Sequence, residues 1–385
     1  MRISVFLLLI SIALSTELYA QEQDLTGIEL SIDQDRLADV LRKEPYEDNN
    51  YAVSLRLGFY GRAANHIYLG LPWVREKVDA FLIDKLLYNS GFEQERSSHN
   101  FVLTINGFTP SYVSDLGPIF LADSALGYDL AEDRPFSSFT GFRSTRRLEG
   151  GKRFVHSAYF MDIAVNTSFT FGLASIGWIE GLDNAIGTRR LPARLWDRNE
   201  DAPYPTGHVI PRPFPIFMYS VSGEFSVLRP LRKIVVQVRP ELNLGYYTNV
   251  GFGIDFGKVM NVEKLVDNLG ATDTHNPSVL KINNRNISLA LTGSVAARAV
   301  LYNAHLNALY GLFGPDHYIT LADTRKIIFE SSFGAKIQLL KKIEFLMSFN
   351  WRSREIKLNS ARPNFWGTIG LKYLIATEGE GCYDL

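Results

Sequence analysis

The amino-acid sequence predicts an all-β fold: a transmembrane antiparallel β-barrel of about twelve strands, with short helices in its loops. Apolar and polar residues alternate with period two along most of the chain, and the pattern recurs to its end. The polar face of these runs is rich in Ser, Thr, Asn and Gly, which suits a packed polar lumen. Several runs exceed ten residues, and a tilted strand needs roughly 9–11 residues to cross a bilayer. The alternative is a soluble sandwich or lipocalin-like barrel, which would have shorter strands and more Lys and Glu outside.

The N-terminal stretch MRISVFLLLISIALSTELYA predicts a secretory signal peptide, because one arginine precedes an apolar run that is followed by small residues. We expect cleavage after Ala20, with Ser15 as the second choice. The apolar run is too short for a membrane anchor. The expected cleavage site has no cysteine, so a lipoprotein is not expected. The predicted divisions are a signal peptide at 1–20, a periplasmic segment at 21–50, the barrel at 51–375 and a C-terminal tail at 376–385.

The composition argues against some classes of partner and some means of stabilising the fold. The chain has 385 residues and a net charge of -1, which argues against nucleic acid as a partner, because binding to phosphates needs a basic surface. Its only cysteine is Cys382, so no intramolecular disulfide can form. After the signal peptide, no apolar run reaches the ~18 residues of a membrane-spanning helix. An exported chain without such a helix can still enter a membrane as a β-barrel.

The clearest strands lie near the C-terminus. KIIFESSFGAKIQLL places Ile327, Phe329 and Phe333 on one face, and Glu330 and Ser332 on the other. The next run alternates in the same way after only two lysines, which predicts a hairpin with a tight turn. An even number of strands would place both termini on the periplasmic side. The same alternation occurs at 52–60, 101–108, 217–227, 249–257 and 286–302.

Two prolines mark places where we expect the strand pattern to change. In EDRPFSSFTGFR, residues 132–143, Pro135 can begin a strand at the polar rim without losing a ladder bond. Phe136, Phe139 and Phe142 follow it three residues apart, so they cannot all face lipid in a regular strand. We expect a bulge there or one lumen-facing ring. In IVVQVRPELNLGYY, Pro240 removes a ladder donor, so we expect a bulge or a strand end.

Two segments have helical periodicity instead. WVREKVDAFLIDKLL and VMNVEKLVDNLG each place apolar residues on one stripe, and Gly270 is a plausible C-cap for the second. We expect ordinary loop helices packed against the barrel. The alternative is a lid or a lipid-facing helix at the barrel mouth. The stripes consist of Val74, Val78, Phe81, Leu82 and Leu86 in the first segment, and Val262, Leu265, Val266 and Leu269 in the second.

A long segment without a strand pattern spans residues 177–215. Loops of this length are usually functional or disordered. Its arginines can contact the phosphate groups of an anionic lipid, and the alternative is a solvated charged loop, because acidic residues are interleaved with them. The arginines are Arg189, Arg190, Arg194, Arg198 and Arg212, and the acidic residues are Glu180, Asp183, Asp197, Glu200 and Asp201.

A series of short motifs resembles one family. FTPSYVSD, followed by EDRPFSSFTGFR, is similar to the YTP…DRPYAGW stretch of outer-membrane lipid A 3′-O-deacylases of the LpxR type. Further matches keep the family's order from about residue 50 to 374. They are Phe171-Gly172, Pro205-Thr206-Gly207-His208, VLYNAHL at 300–306 and FNWRSREIKL at 349–358.

This resemblance implies a twelve-stranded barrel that hydrolyses the 3′-linked acyl esters of lipid A. It also implies calcium as the cofactor, a histidine that activates water, and an Asn-Asp pair that helps bind the metal. This chemistry requires a base that titrates near neutrality and an oxygen-ligated cation that stabilises the oxyanion. The implied partners are outer-membrane lipids, lipid A among them.

The family's catalytic motifs are not recognisable in this chain. Where the family has NDxFxxTDRYYTNG, residues 57–70 read LGFYGRAANHIYLG. Leu57-Gly58 stands in place of Asn-Asp, and Ala64-Asn65 in place of Asp-Arg. Leucine and glycine cannot ligate calcium through their side chains. The region of the family's histidine, residues 185–190, contains no histidine.

Two other histidines, His66 and His208, lie in loops near the expected site. Either of them can be a relocated base, although loop histidines are commonly idle. We therefore assign no catalytic, cofactor-binding or metal-binding residue, and we predict no cofactor.

The sequence as a whole predicts an outer-membrane β-barrel that is catalytically silent or altered and has a lipid-related or structural role. An acyl-ester hydrolase with relocated residues is the alternative. A small porin is weaker, because twelve strands usually enclose a lumen filled by side chains.

Overall fold

The computed structural model describes the chain in segments. These are residues 25–34, 53–61, 64, 70–108, 137–153, 160–174, 214–228, 234–260, 287–307, 321–339, 342–357 and 363–374. The predicted signal peptide and C-terminal tail lie outside them, and so does the predicted second helix, 259–270, except for Val259 and Met260, which are in a strand.

Twelve strands form one closed antiparallel barrel, in which each strand pairs with its neighbours in sequence and β1 pairs with β12. This confirms the predicted fold class. The strands are β1 Leu25–Gln34, β2 Val53–Gly61, β3 Glu93–Phe108, β4 Ser137–Arg153, β5 Phe160–Ala174, β6 Phe214–Leu228, β7 Ile234–Gly245, β8 Tyr247–Met260, β9 Ile287–Asn303, β10 Ile327–Leu339, β11 Ile343–Arg352 and β12 Asn364–Leu374.

Helical structure is short and lies in the connections. Between β2 and β3 the chain forms helix α1 (Leu71–Asp79), a π-helical turn (Ala80–Asp84) and helix α2 (Lys85–Ser90). Helix α3 (Ala304–Asn307) follows β9. Within the described segments, no helix is both long enough and apolar enough to cross a membrane.

The barrel begins earlier in the chain than predicted. The segment 21–50 was expected to precede the barrel, but β1 lies within it and pairs with both β2 and β12. Its sequence LTGIELSIDQ alternates like the other strands, with Leu30 and Ile32 exposed and Ser31 and Asp33 buried. Without β1, the facing edges of β2 and β12 would have unpaired backbone groups. Closure of the ring therefore requires this segment.

The register of the pairs identifies the two faces of the wall. Leu30 and Phe217, at the ends of one row of paired residues, are 46% and 51% exposed, so this row faces outward. Alternate residues on each strand share a face. The outward face is therefore mainly apolar, and the residues between, such as Ser54 and Asn249, are buried in the lumen. The row consists of Leu30, Leu57, Leu103, Phe142, Phe171 and Phe217.

Two local predictions are confirmed. Leu339 pairs with Ile343 across a tight turn, as expected for the hairpin of β10 and β11. In β4, the Phe142 ring lies 5.7 Å from the Phe101 ring on the outer face. The ring of Phe139 faces the lumen, 5.7 Å from that of Tyr246, so it is the predicted lumen-facing ring. Pro135 and Phe136 lie outside the described residues.

The expectation for Pro240 is wrong, because β7 continues through it without a bulge. Pro240 pairs with Phe252 of β8 in regular register. On its other side, the pairs pass from Ser222↔Glu241 to Phe225↔Val238 with the register unchanged. A proline has no N–H to donate, so the strand loses part of its ladder with β6 and retains its direction.

The connection between β7 and β8 depends on Gly245. Its φ of +136° is unfavourable for a residue with a side chain, and a Cβ there would lie 2.0 Å from the Phe217 carbonyl oxygen. Tyr246, the single residue between the strands, donates its N–H to the same oxygen at 2.8 Å. The turn between β7 and β8 therefore also contacts strand β6.

We expect Gly245→Ala to lower the free energy of unfolding by about 2 kcal/mol, because the alanine strains the backbone and displaces β6. Urea unfolding of the detergent-folded protein measures this change. Gly370→Ala is the matched control, since its nearest neighbour would be Ser31 Cβ at an ordinary 3.4 Å. Equal losses for the two variants would contradict this account of the turn.

Candidate functional site

The lumen contains a chain of alternating charges, which we call the lumen ion chain. Arg239 lies between Asp255 and Glu241, with Nε 2.8 Å from an Asp255 oxygen and Nη1 2.6 Å from Glu241 Oε2. Arg298 joins Glu241 to Glu330. Arg352 then contacts Glu330 at 2.6 Å and Glu355 at 3.2 Å. The full chain is Asp255, Arg239, Glu241, Arg298, Glu330, Arg352 and Glu355.

Other ion pairs lie in the lumen beside the lumen ion chain. Arg147 contacts Glu149 at 2.6 Å and Glu224 at 2.9 Å, and Asn166 also donates to Glu224 at 2.9 Å. Arg56 pairs with the buried Asp33, and Lys336 with Glu344. Each of these pairs joins residues of the same strand or of strands one or two apart, so the charges line the inner face of the wall.

A second polar cluster lies outside the barrel, between its wall and the helical segment that joins β2 and β3. We call it the wall–helix cluster. On the helical side it includes Arg75 and Asp79, whose side chains are both 0% exposed. On the wall it includes residues from β3 to β6. The whole cluster comprises Arg75, Asp79, Asp84, His99, Ser144, Arg146, Thr167 and Tyr219.

Asp79 is the centre of this cluster. Thr167 Oγ1 donates to one carboxylate oxygen at 2.8 Å, and Tyr219 Oη donates to the other at 2.7 Å. Arg75 Nε and Arg146 Nη1 lie 3.6 and 3.5 Å from Asp79 Oδ2. Two hydroxyl donors and two guanidinium groups therefore satisfy one carboxylate, as a buried acid requires.

Arg75 forms a second contact between helix α1 and the wall, on strand β4. Its Nη1 donates to Ser144 Oγ at 2.8 Å. Carboxylate oxygens of Asp79 and Glu76 each lie 3.6 Å from its guanidinium nitrogens. Arginine stays protonated in proteins, so Arg75 is a buried cation that depends on its anionic neighbours.

The π-helical turn brings a second carboxylate to the cluster. Asp79 and Asp84 are five residues apart, which is the spacing of the hydrogen-bonded residues in a π-helix. Both therefore face Arg146, whose Nη1 lies 3.0 Å from Asp84 Oδ1. In a continuous α-helix, the residue one turn after Asp79 would be Ile83. The wider turn thus explains how two acids share one arginine.

The face that the helical segment packs against the wall is opposite to the predicted one. Of the predicted apolar stripe, Phe81, Leu82 and Leu86 are exposed, whereas Val74 and Val78 are half-buried. Arg75 and Asp79 are buried against the strands instead. The sequence pattern located the helix correctly but did not identify the face that packs against the wall.

A nucleophilic pair at the edge of the cluster is not supported by its geometry. Ser97 Oγ lies 3.4 Å from His99 Nε2, and Arg75 Nη2 lies 3.4 Å from His99 Nδ1. Arginine can only donate, so Nδ1 accepts, and in the neutral ring Nε2 carries the proton. That tautomer donates to Ser97 and cannot remove its proton. The arrangement suits a structural contact rather than a serine nucleophile.

The described residues contain no group of three or more His, Cys, Asp or Glu that could hold a metal ion. Of the positions considered from sequence, Leu57 and Gly58 lie on β2. Leu57 belongs to the outward row, and Gly58 faces the lumen beside the Tyr60 ring. His66, His208, Asp133-Arg134 and the arginines of the long loop lie outside the described residues.

The wall–helix cluster was not anticipated from sequence, although a signal for it exists. Ser144 and Arg146 follow Phe142 at spacings of two and four, so they occupy the outward face of β4. Thr167 occupies the outward face of β5 in the same way. Polar residues in the middle of an otherwise apolar face indicate that something covers them.

Comparisons with known proteins concern the fold. No protein-family model matches the chain, and no curated protein matches it in sequence. The chain is similar to the solved structure of LpxR from Salmonella typhimurium, with a TM-score of 0.55 and 13% identity, covering 90% of this chain and 99% of that one. It is similar to the NanC porin with a TM-score of 0.34 and 6% identity, covering 90% and 98% of the two chains. It is also similar to the β domain of the Bordetella autotransporter BrkA, with a TM-score of 0.37 and 8% identity, covering 91% of this chain and 99% of that one.

Proposed function

We propose that this chain is an outer-membrane β-barrel with a lipid-related or structural role, and that it does not remove acyl chains from lipid A. One observation carries the proposal: the outward face of the wall exposes large apolar residues, while the lumen is lined with buried charges. Phe217, Phe252, Val295 and Phe329, from four different strands, are each about half exposed on that face. A wall of this kind is stable in lipid and would aggregate in water.

The N-terminal sequence supports export, and the barrel supports insertion in the outer membrane. The partners proposed are outer-membrane lipids, lipid A among them. The fold shared with LpxR supports the architecture of this proposal. Twelve strands usually enclose a lumen filled by side chains, which opposes the porin alternative.

We infer catalytic silence from the chemical groups of the wall–helix cluster. Asp79 is saturated by donors, and the His99 tautomer is unsuited to activating Ser97. A general base needs a free lone pair within reach of the proton that it removes. The competing candidate is an acyl-ester hydrolase that uses the loop residues His66 or His208, and the same experiment tests it.

We expect lipid A to be unchanged when the chain is expressed in the outer membrane of a host with hexa-acylated lipid A. Mass spectra of extracted lipid A, taken with and without calcium, measure this. LpxR expressed in parallel is the positive control, and heat-modifiable gel migration verifies folding of both proteins. Loss of the 3′ acyl groups would establish the hydrolase instead. Recovery of folded protein from the soluble periplasm would contradict the membrane location.

A further inference from the structure

The outward face of the wall has a polar patch about half way along its strands. Ser144 and Arg146 lie near the middle of β4, Thr167 lies near the middle of β5, and Tyr219 lies on β6. All share the face of the exposed residue Phe217 by register. If the barrel spans a membrane, this patch is at the depth of the acyl chains, where bare polar groups are unfavourable.

The helical segment 71–90 covers this patch. Its buried side supplies a partner for each of the four residues of the patch: Arg75 bonds Ser144, Asp79 accepts from Thr167 and Tyr219, and Asp84 bonds Arg146. Its other side carries large apolar residues that are mostly exposed. Their exposed fractions are 62% for Trp73, 79% for Phe81, 62% for Leu86 and 85% for Tyr88.

The polarity of this segment is the reverse of that of a helix packed on a soluble protein, whose apolar stripe faces the core. The bare wall on either side of it, at Leu30 and at Leu242, is apolar and exposed. The exposed side of the segment is therefore continuous with the apolar wall. Glu76, Lys77 and Lys85 are also exposed, and their long stems can lie along the apolar surface while their charged ends point away from it.

We propose that the helical segment 71–90 is an intramembrane part of the wall, whose apolar side binds the acyl chains of the surrounding lipid. The segment joins β2 and β3 at the end of the barrel where β1 begins and β12 ends. It therefore contacts the leaflet on the side of the two termini. This inference rests on the proposed function, because it requires that the barrel spans a bilayer.

The test uses spin labels on single cysteines in the full chain, with Cys382→Ser as the background. Phe81→Cys and Leu86→Cys place the label on the exposed side of the segment. Val250→Cys places it on the bare wall of β8, where the side chain is 52% exposed. Ala322→Cys places it in an exposed turn before β10. After folding into phosphatidylcholine–phosphatidylglycerol vesicles, electron paramagnetic resonance measures collisions with oxygen, which partitions into acyl chains, and with a nickel chelate, which stays in water.

We expect the oxygen-to-nickel collision ratio at Phe81→Cys and Leu86→Cys to match that at Val250→Cys within about twofold, and to exceed that at Ala322→Cys by about tenfold. A ratio like that of Ala322→Cys at both helical positions, with Val250→Cys still in lipid, would overturn this inference and leave the proposed function intact. Spin–spin broadening at the helical positions would mean that a second copy covers this side, which also overturns it. If the Val250→Cys label is itself exposed to water, the proposed membrane barrel fails.

Discussion

Asp79→Ala is expected to lower the free energy of unfolding by about 3–5 kcal/mol, because it leaves the fully buried Arg75 with Glu76 as its remaining acidic neighbour in the cluster. Arg75 has no exposed surface through which water could replace the lost anion. Thr167 and Tyr219 lose their acceptor at the same time. Urea unfolding in detergent micelles measures the change, and increased proteolysis of the segment 71–90 is the expected local sign.

Asp84→Ala is the matched control, because it removes a carboxylate that pairs with the same Arg146. Its side chain is 41% exposed, so solvent screens the pair and the expected loss is under about 1 kcal/mol. The double variant Arg75→Met/Asp79→Leu should lose less than the sum of its single variants, since both buried charges are removed together. Equal losses for Asp79→Ala and Asp84→Ala would contradict the central role of Asp79.

Arg239→Met is expected to lower the free energy of unfolding by about 3–5 kcal/mol, because Arg239 separates two buried acids of the lumen ion chain. Arg239 and Asp255 are each 3% exposed, so neither can exchange its partner for water. Its loss leaves Asp255 uncompensated and removes one of the two cations that contact Glu241. Urea unfolding in the same micelles measures the effect.

Asp255→Asn, added to Arg239→Met, should recover part of that loss, because it removes the acid that the first change left uncompensated. Arg325→Met is the control outside the lumen ion chain. Arg325 is exposed, and its Nε donates to the carbonyl oxygen of Ile356. We expect a change within about 0.5 kcal/mol there. Equal losses for Arg239→Met and Arg325→Met, or no loss for Arg239→Met, would contradict a stabilising role of the lumen ion chain.

The strands were predictable because the side-chain period of an extended chain is two residues wherever the strand lies. Runs such as NISLALTGSVAARAVLY therefore identified β9 and its two faces from local sequence alone. The boundary at β1 was missed, although Ile28, Leu30 and Ile32 alternate regularly, because nothing local distinguishes a strand that closes a ring from a segment that precedes it. Pro240 was misjudged for a similar reason: whether a lost donor ends a strand depends on the strand pairing with its other edge.

The wall–helix cluster was not predictable to the same degree. Arg75 and Asp79 are adjacent on any helical projection, and Ser144 and Arg146 stand out on the outward face of β4. Their meeting depends on the connection from β2 to β3 folding back along the outside of the barrel. No periodic pattern in the sequence predicts the path of that connection.

The sequence by itself determined that this protein is a barrel with an apolar outer face and a polar lumen, because alternation along each strand requires no knowledge of its neighbours. Only the tertiary structure decided which residues pair within the lumen and which face of the helical segment meets the wall. Apolar residues pack inward when water is the surrounding medium and outward when the surroundings are apolar. The same amphipathic pattern in the segment 71–90 is compatible with both, and the polar partners on β4, β5 and β6 determine which face is buried.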